Sequence, residues 1–237
     1  MASTTPDEVG ISRRSLVRTA TLVGSLAVFQ AGCSNGASGD SGTPQPSPTP
    51  AATSGPGPRV LVAYFSRPGE NYYYGGRIDL TVGNTEVLVG AIASHLQTLG
   101  VRFDVHRIEA VEPYSAGYND TVARNVREQE ADARPQIANP LPTLAPYDVV
   151  LLGSPIWNVR PPMIMLTFAE SHDFTGKTVY PFTTHAMSGL GSTVSRYEAA
   201  CRGATIGDGL AVQGEKVATD GPAAVGPWLE GMSLRPG

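Results

Sequence analysis

The sequence predicts an α/β fold, a doubly wound five-stranded parallel sheet of order 2-1-3-4-5 with helices on both faces. Three observations predict it. Apolar runs of strand length, Arg59 to Ser66 and Tyr147 to Gly153, are nearly unbroken, as strands buried on both faces of a parallel sheet require. These runs alternate strictly with stretches of helical spacing. Small, hydroxylated and glycine-rich segments follow the first, third and fourth strands, where such sheets place their binding crevice.

The elements follow in order. Arg59-Val60-Leu61-Val62-Ala63-Tyr64-Phe65-Ser66 is the first strand. Asn84-Thr85-Glu86 opens a helix whose Val87, Leu88, Ala91, Ile92 and Leu96 recur at helical spacing, and Gly100 closes it. Val101, Phe103 and Val105 alternate with polar residues up to Ile108, the pattern of an edge or half-exposed strand. A polar helix is expected from Tyr118 to Arg134, stopping before Pro135, and a second buried strand from Tyr147 to Gly153. A helix from Met163 to Ser171, a strand from Lys177 to Thr184 and a helix from Ser192 to Cys201 come next. Leu210 to Val212 reads as a short last strand and Pro222 to Met232 as a last helix. Residues 67–83 are an insert; Arg77 to Val82 alternates like a short strand, so the insert reads as a small hairpin over the site.

The 237 residues divide into three parts. Residues 1–33 hold Ser12-Arg13-Arg14, an apolar stretch from Ala20 to Ala31 and Cys33, which reads as an export signal of twin-arginine type. Ala31-Gly32-Cys33 is similar to a bacterial lipobox, with Gln30 where Leu or Val is usual, which implies a lipid on Cys33. The expected location is the cell envelope, on the outer side of the cytoplasmic membrane, with that lipid as the only membrane contact. Residues 34–58 are Pro, Ser, Gly, Thr and Ala with almost nothing apolar to bury, a tether. Residues 59–237 form the folded domain, with Cys201 as its single cysteine, expected to pack near a helix.

With 41% apolar and 16% charged residues the chain can build a core. A net charge of −4 argues against a nucleic-acid partner. The four histidines and two cysteines show no paired-ligand spacing, which argues against a zinc or iron–sulfur site.

Chemistry is expected in three loops. Ser66, Arg67 and Asn84-Thr85-Glu86 place hydroxyls and main-chain N–H groups at a helix N-terminus, where the dipole favours a phosphate; the alternative is plain capping by Asn84 or Thr85. No GxxxxGK[ST] is present, so this is not a nucleoside-triphosphate loop. Pro155-Ile156-Trp157-Asn158 offers an aromatic face and an amide to a flat ring; alternatively Trp157 only covers the sheet end. Thr184, His185, Ser188, Gly189 and Gly191 can bond a heterocyclic edge, with His185 as a proton donor or a mere surface residue. Tyr72-Tyr73-Tyr74 in the insert flanks the ring, marks a partner surface, or is a solvated turn.

Val62-Ala63-Tyr64-Phe65-Ser66, Gly83-Asn84-Thr85-Glu86, Glu128 to Pro135, Tyr147-Asp148-Val149-Val150, Gly153-Ser154-Pro155-Ile156-Trp157 and Ser188-Gly189-Leu190-Gly191 together resemble the flavodoxin family, over residues 59–229. The resemblance implies a flavodoxin-like fold and non-covalent FMN. It implies phosphate on Ser66, Asn84 and Thr85 with Arg67 and Glu86 beside them. The isoalloxazine then lies against Pro155, Ile156, Trp157 and Asn158 and the loop from Thr184 to Gly191. Residues 67–84 depart from the compact phosphate loop of short-chain relatives, and Asn158-Val159-Arg160 replaces the second aromatic or glycines often found there. The expected activity is electron transfer from a nicotinamide or protein donor to a quinone or other small acceptor. The alternatives are an electron carrier without turnover of its own and a surface lipoprotein that has lost its cofactor.

Overall fold

The computed structural model describes residues 57–234; the expected export signal (1–33) and all but the last two residues of the expected tether (34–58) lie outside the described residues. The central sheet is built on β1 (Arg59–Tyr64), flanked by β4 (Arg102–Arg107) and β5 (Val149–Pro155). Next to β5 lies β6 (Thr178–His185), whose outer edge is shared by two short strands, β7 (Thr205–Ile206) and β8 (Leu210–Gln213). Every pairing in this sheet is parallel. Counting β7 and β8 as one interrupted strand gives the order 2-1-3-4-5. The split edge strand differs from the single short strand expected. Only residues 205–206 pair with Thr178–Val179, and the chain rejoins β6 opposite Phe182–His185.

The alternation along β1 divides the core in two. Val60, Val62 and Tyr64 face α1 (Asn84–Thr98) and α5 (Val217–Glu230), packing with Leu88, Ile92, Leu96, Val225 and Leu229. Leu61, Ala63 and Phe65 face the opposite layer, with Met163, Ile164 and Phe168 of α3 (Met163–Glu170) and Tyr197 of α4 (Thr193–Ala200). Each fully buried Leu or Ile contributes about 1.5–3 kcal/mol, so either layer alone outweighs the surface ion pairs such as Arg59–Asp104 (2.7 Å), worth roughly 0–1 kcal/mol. Cys201 caps α4 and is buried, and burial pushes its thiol up to about 12.

Two expectations need correction. The last helix starts at Val217, not Pro222, and carries Pro222 and Pro227 inside it. Its glycines let it lie close to α1: a Cβ on Gly226 would stand 3.3 Å from the His95 ring. Packing of Val217, Val225 and Leu229 overrides the cost of the prolines. The polar helix α2 (Tyr118–Glu130) ends four residues early, and Asp132 takes a left-handed φ of 46° beyond its end. The insert is a hairpin of β2 (Gly69–Tyr73) and β3 (Gly76–Leu80), a sheet separate from the main one.

Candidate functional site

At the C-terminal ends of β1, β5, β6 and β8 lies a cleft of about 520 Å³. Ser66, Arg67, Asn84, Thr85, Pro155, Ile156, Trp157, Asn158, Thr184, His185 and Ser188, all expected from sequence, line it together. Glu86, Gly189 and Gly191 do not. The Glu86 carboxylate turns to the Arg107 guanidinium at 2.8 Å, and only its N–H contributes locally. Gly189 accepts a hydrogen bond from the Thr183 hydroxyl at 3.0 Å through its carbonyl. Gly191, at φ 51°, passes so close to the Val159 carbonyl that a Cβ would sit 2.4 Å from that oxygen. These two glycines shape the loop from behind.

One end of the cleft is polar and tightly built. Helix α1 is capped from a distance: the Ser66 Oγ accepts from the Glu86 N–H at 3.1 Å, so Asn84 and Thr85 are not the side-chain caps. Geometry leaves the first N–H groups of α1 without helical partners. The Thr85 and Thr184 hydroxyls share a buried 2.7 Å hydrogen bond, joining the first loop to the third. Gly83 is required here, since a Cβ would lie 2.3 Å from the Ser66 Oγ and 2.6 Å from the Arg67 carbonyl oxygen. Arg67 lines the cleft and also braces the hairpin. Its guanidinium donates to the main-chain carbonyls of Ser115 (2.9 Å), Ala116 (3.0 Å) and Glu70, pinning the hairpin to the segment before α2. Its Nε is buried without a protein partner, and burial lowers its affinity for the proton.

The hairpin crosses this end. On one side Glu70 N donates to Ala116 (2.8 Å), Tyr118 N donates to the Glu70 carboxylate (3.0 Å), and Arg77 lies 4.4 Å over the Tyr118 ring. On the other, Tyr74 N donates to Glu215 Oε1 at 3.3 Å. Tyr72 lines the cleft, whereas Tyr73 and Tyr74 are exposed.

The other end is a slot between two loops. Trp157 packs edge-on against Phe65 (5.6 Å) and Tyr114 (5.1 Å), so it both closes the sheet end and lines the cleft. The Asn158 amide is already engaged, donating to Gln129 Oε1 at 2.9 Å, while Gln129 donates to the Trp157 carbonyl at 3.1 Å. Asn158 and Val159 both have left-handed backbones, at φ 51° and 65°. Such a conformation is strained for a β-branched residue, and it persists because Ser192 holds the Val159 carbonyl through its N–H (2.9 Å) and hydroxyl (3.2 Å). His185 is partly buried; burial lowers its pKa, opposed by Glu215, and its Nδ1 has no protein partner. The Glu215 Oε2 is likewise buried and unpartnered.

Sequence reasoning missed Thr121 and Asn125 of α2 and Gly214 and Glu215 after β8. The polar character of α2 was visible, but nothing in its pattern showed that the polar face turns inward.

Residues 83–231 match the flavodoxin family profile. The chain belongs to the flavodoxin family. Among solved structures, a candidate flavoprotein from Bacteroides uniformis shares 28% identity at a TM-score of 0.56, over 73% of this chain and 99% of its own. One from Bacteroides eggerthii shares 24% at 0.57, over 75% and 99%. A flavoprotein in complex with FMN from Lactobacillus acidophilus shares 16% at 0.48, over 70% and 99%. No curated protein matches the sequence. The flavodoxin-like sheet expected from sequence is the fold observed.

Proposed function

We propose that this flavodoxin-family chain binds FMN in the cleft and passes electrons from a nicotinamide or protein donor to a quinone or other small acceptor. The observation that carries this reading is convergence: loops from the ends of β1, β5 and β6 meet in one cleft that joins a helix N-terminus to an aromatic slot. The residues fit the cofactor. A dianionic phosphate suits the N–H groups of Asn84 and Thr85 and the hydroxyls of Ser66 and Thr85, beside Gly83, whose missing side chain lets Ser66 and the Arg67 main chain pack against the helix start. The buried, unpartnered Arg67 Nε, His185 Nδ1 and Glu215 Oε2 are polar atoms for which a bound molecule supplies partners.

Bound FMN supplies the redox chemistry. The chain holds and orients it: Pro155 to Asn158 form one wall of the slot and Thr184 to Ser188 the other. His185, kept neutral by burial, offers Nδ1 for hydrogen bonding to a heterocyclic edge. The fixed turn at Asn158–Val159 keeps the Trp157 wall in place. An exported form held to the membrane through Cys33 belongs to the same proposal, supported by the residue pattern of positions 1–33; changing Arg13 and Arg14 to Lys should abolish export.

The test is the absorbance spectrum of the purified protein, followed by NAD(P)H oxidation with a quinone present. A flavin spectrum with turnover supports the enzyme. A flavin spectrum with reduction only by a partner reductase supports the carrier. A colourless protein that takes up no FMN overturns both.

A further inference from the structure

Helix α2 is turned inside out. Its buried residues are Thr121, Asn125 and Glu128, while Val122 and Val126, one turn apart, are 42% and 38% exposed. An ordinary surface helix does the reverse. The buried polar face has its own reasons: Glu128 accepts from the Tyr114 hydroxyl (2.8 Å) and from Arg124 Nε (2.6 Å). Among the described residues nothing covers the two valines, and both line the cleft.

Two more exposed apolar side chains stand at the same cleft. Val159 is 57% exposed on its left-handed turn, and Met187 is 83% exposed at the tip of the third loop. Hydrogen bonds make these elements neighbours: Gln129 ties α2 to Trp157, and Ser192 ties the third loop to Val159. Among the described residues that line the cleft, the charged side chains are Arg67 and Glu215, both hydrogen-bonded to the hairpin.

We propose that this apolar rim is a second binding subsite, for a flat, uncharged aromatic molecule of the quinone class, resting on the FMN reading above. Apolar contact without a cation suits a neutral ring. The phosphates of a pyridine dinucleotide would need cationic or main-chain partners beyond the rim. Four side chains around a concave opening also fall well short of the roughly 800 Å² per partner of a stable protein interface. The unbranched Met187 thioether adapts to rings of differing substitution.

The experiment uses FMN-loaded, oxidised full-length protein with no electron donor, so the readout is binding alone. Equilibrium dialysis with 2-methyl-1,4-naphthoquinone compares the unaltered protein with Val122→Asn/Val126→Asn and Val122→Leu/Val126→Leu. The Asn pair should weaken quinone binding by about 10-fold or more, and the Leu pair should retain it. FMN content is measured in parallel, and quinone binding is compared only between proteins carrying one FMN per chain. A sulfonated naphthoquinone should bind at least roughly 10-fold more weakly than the neutral one. Equal quinone affinity in the Asn pair, loss in the Leu pair, equal affinity for the sulfonate, or a dimer that the Asn pair converts to monomer would each overturn the subsite. Failure of the unaltered protein to take up FMN overturns the parent reading instead.

Discussion

At the hairpin end of the cleft, Ser66, Thr85 and Thr184 are buried; the two threonine hydroxyls share a 2.7 Å hydrogen bond, and the Ser66 Oγ accepts from the Glu86 N–H at 3.1 Å. Along the lip of the same cleft, Val122, Val126, Val159 and Met187 stand exposed, beside a slot whose one wall turns on two left-handed residues. The polar end is over-determined: a side chain added at Gly83 meets both Ser66 and the main chain. The apolar end has room and few polar partners. On the readings proposed above, the contrast separates two tasks, holding an anionic group permanently at the first and admitting an exchangeable neutral one at the second.

Substitutions at the polar end should have the largest effect. Gly83→Ala must move Ser66 or the Arg67 backbone, and close packing of this kind costs about 1–3 kcal/mol before any ligand contact is lost. We expect FMN binding to fall below detection in a fluorescence titration while the far-UV circular dichroism stays native. Retained affinity would show that the phosphate lies elsewhere. Thr85→Ala comes next. It removes a hydroxyl bonded to Thr184 and, with FMN bound, a charge-assisted contact, so the dissociation constant should rise by about 1–3 kcal/mol in free-energy terms.

At the apolar end the expected change is smaller and of opposite sign. A left-handed valine costs roughly 1–3 kcal/mol, and glycine's extra chain entropy costs about 0.5–1 kcal/mol. Val159→Gly should therefore raise stability by about 1 kcal/mol in a urea titration, with a small loss of FMN affinity as the slot loosens. Lowered stability would mean that Val159 makes contacts worth more than its strain. The smallest effect concerns pH. Burial holds His185 and His106 below the ordinary 6.5, and the His172 charge adds to this at His106. The unfolded chain then binds more protons than the folded one as pH falls through 6.5. Stability is full above that value and declines toward the depressed folded pKa values. The melting temperature should drop between pH 7.5 and 5, and His185→Gln should flatten part of that slope.

The two ends also differed in how far they could be read from sequence. Ser66 and Thr85 sit at element boundaries marked by an apolar run and by Gly83, so their convergence followed from topology. The hairpin was visible because Arg77 to Val82 alternates. The use of Arg67 was not, because its partners are main-chain oxygens more than forty residues away, at Ser115 and Ala116. Glu215 was hidden for a related reason: the edge strand is split, so the turn after β8 reaches the cleft only through pairing with β6. The inverted face of α2 depends on Tyr114 and Arg124 satisfying Glu128, a tertiary compensation that no periodicity carries. The prolines in α5 point the same way, since packing against α1 decides where the helix starts.

The central claim is that the polar end holds a phosphate and the slot holds the ring attached to it. A side-by-side titration of the full-length apoprotein with FMN and with riboflavin tests it most directly. The account predicts one FMN per chain and affinity for riboflavin weaker by about 100-fold, the contribution of a phosphate at a helix N-terminus with hydroxyl partners. Equal affinity for the two, or no uptake of either, would contradict it.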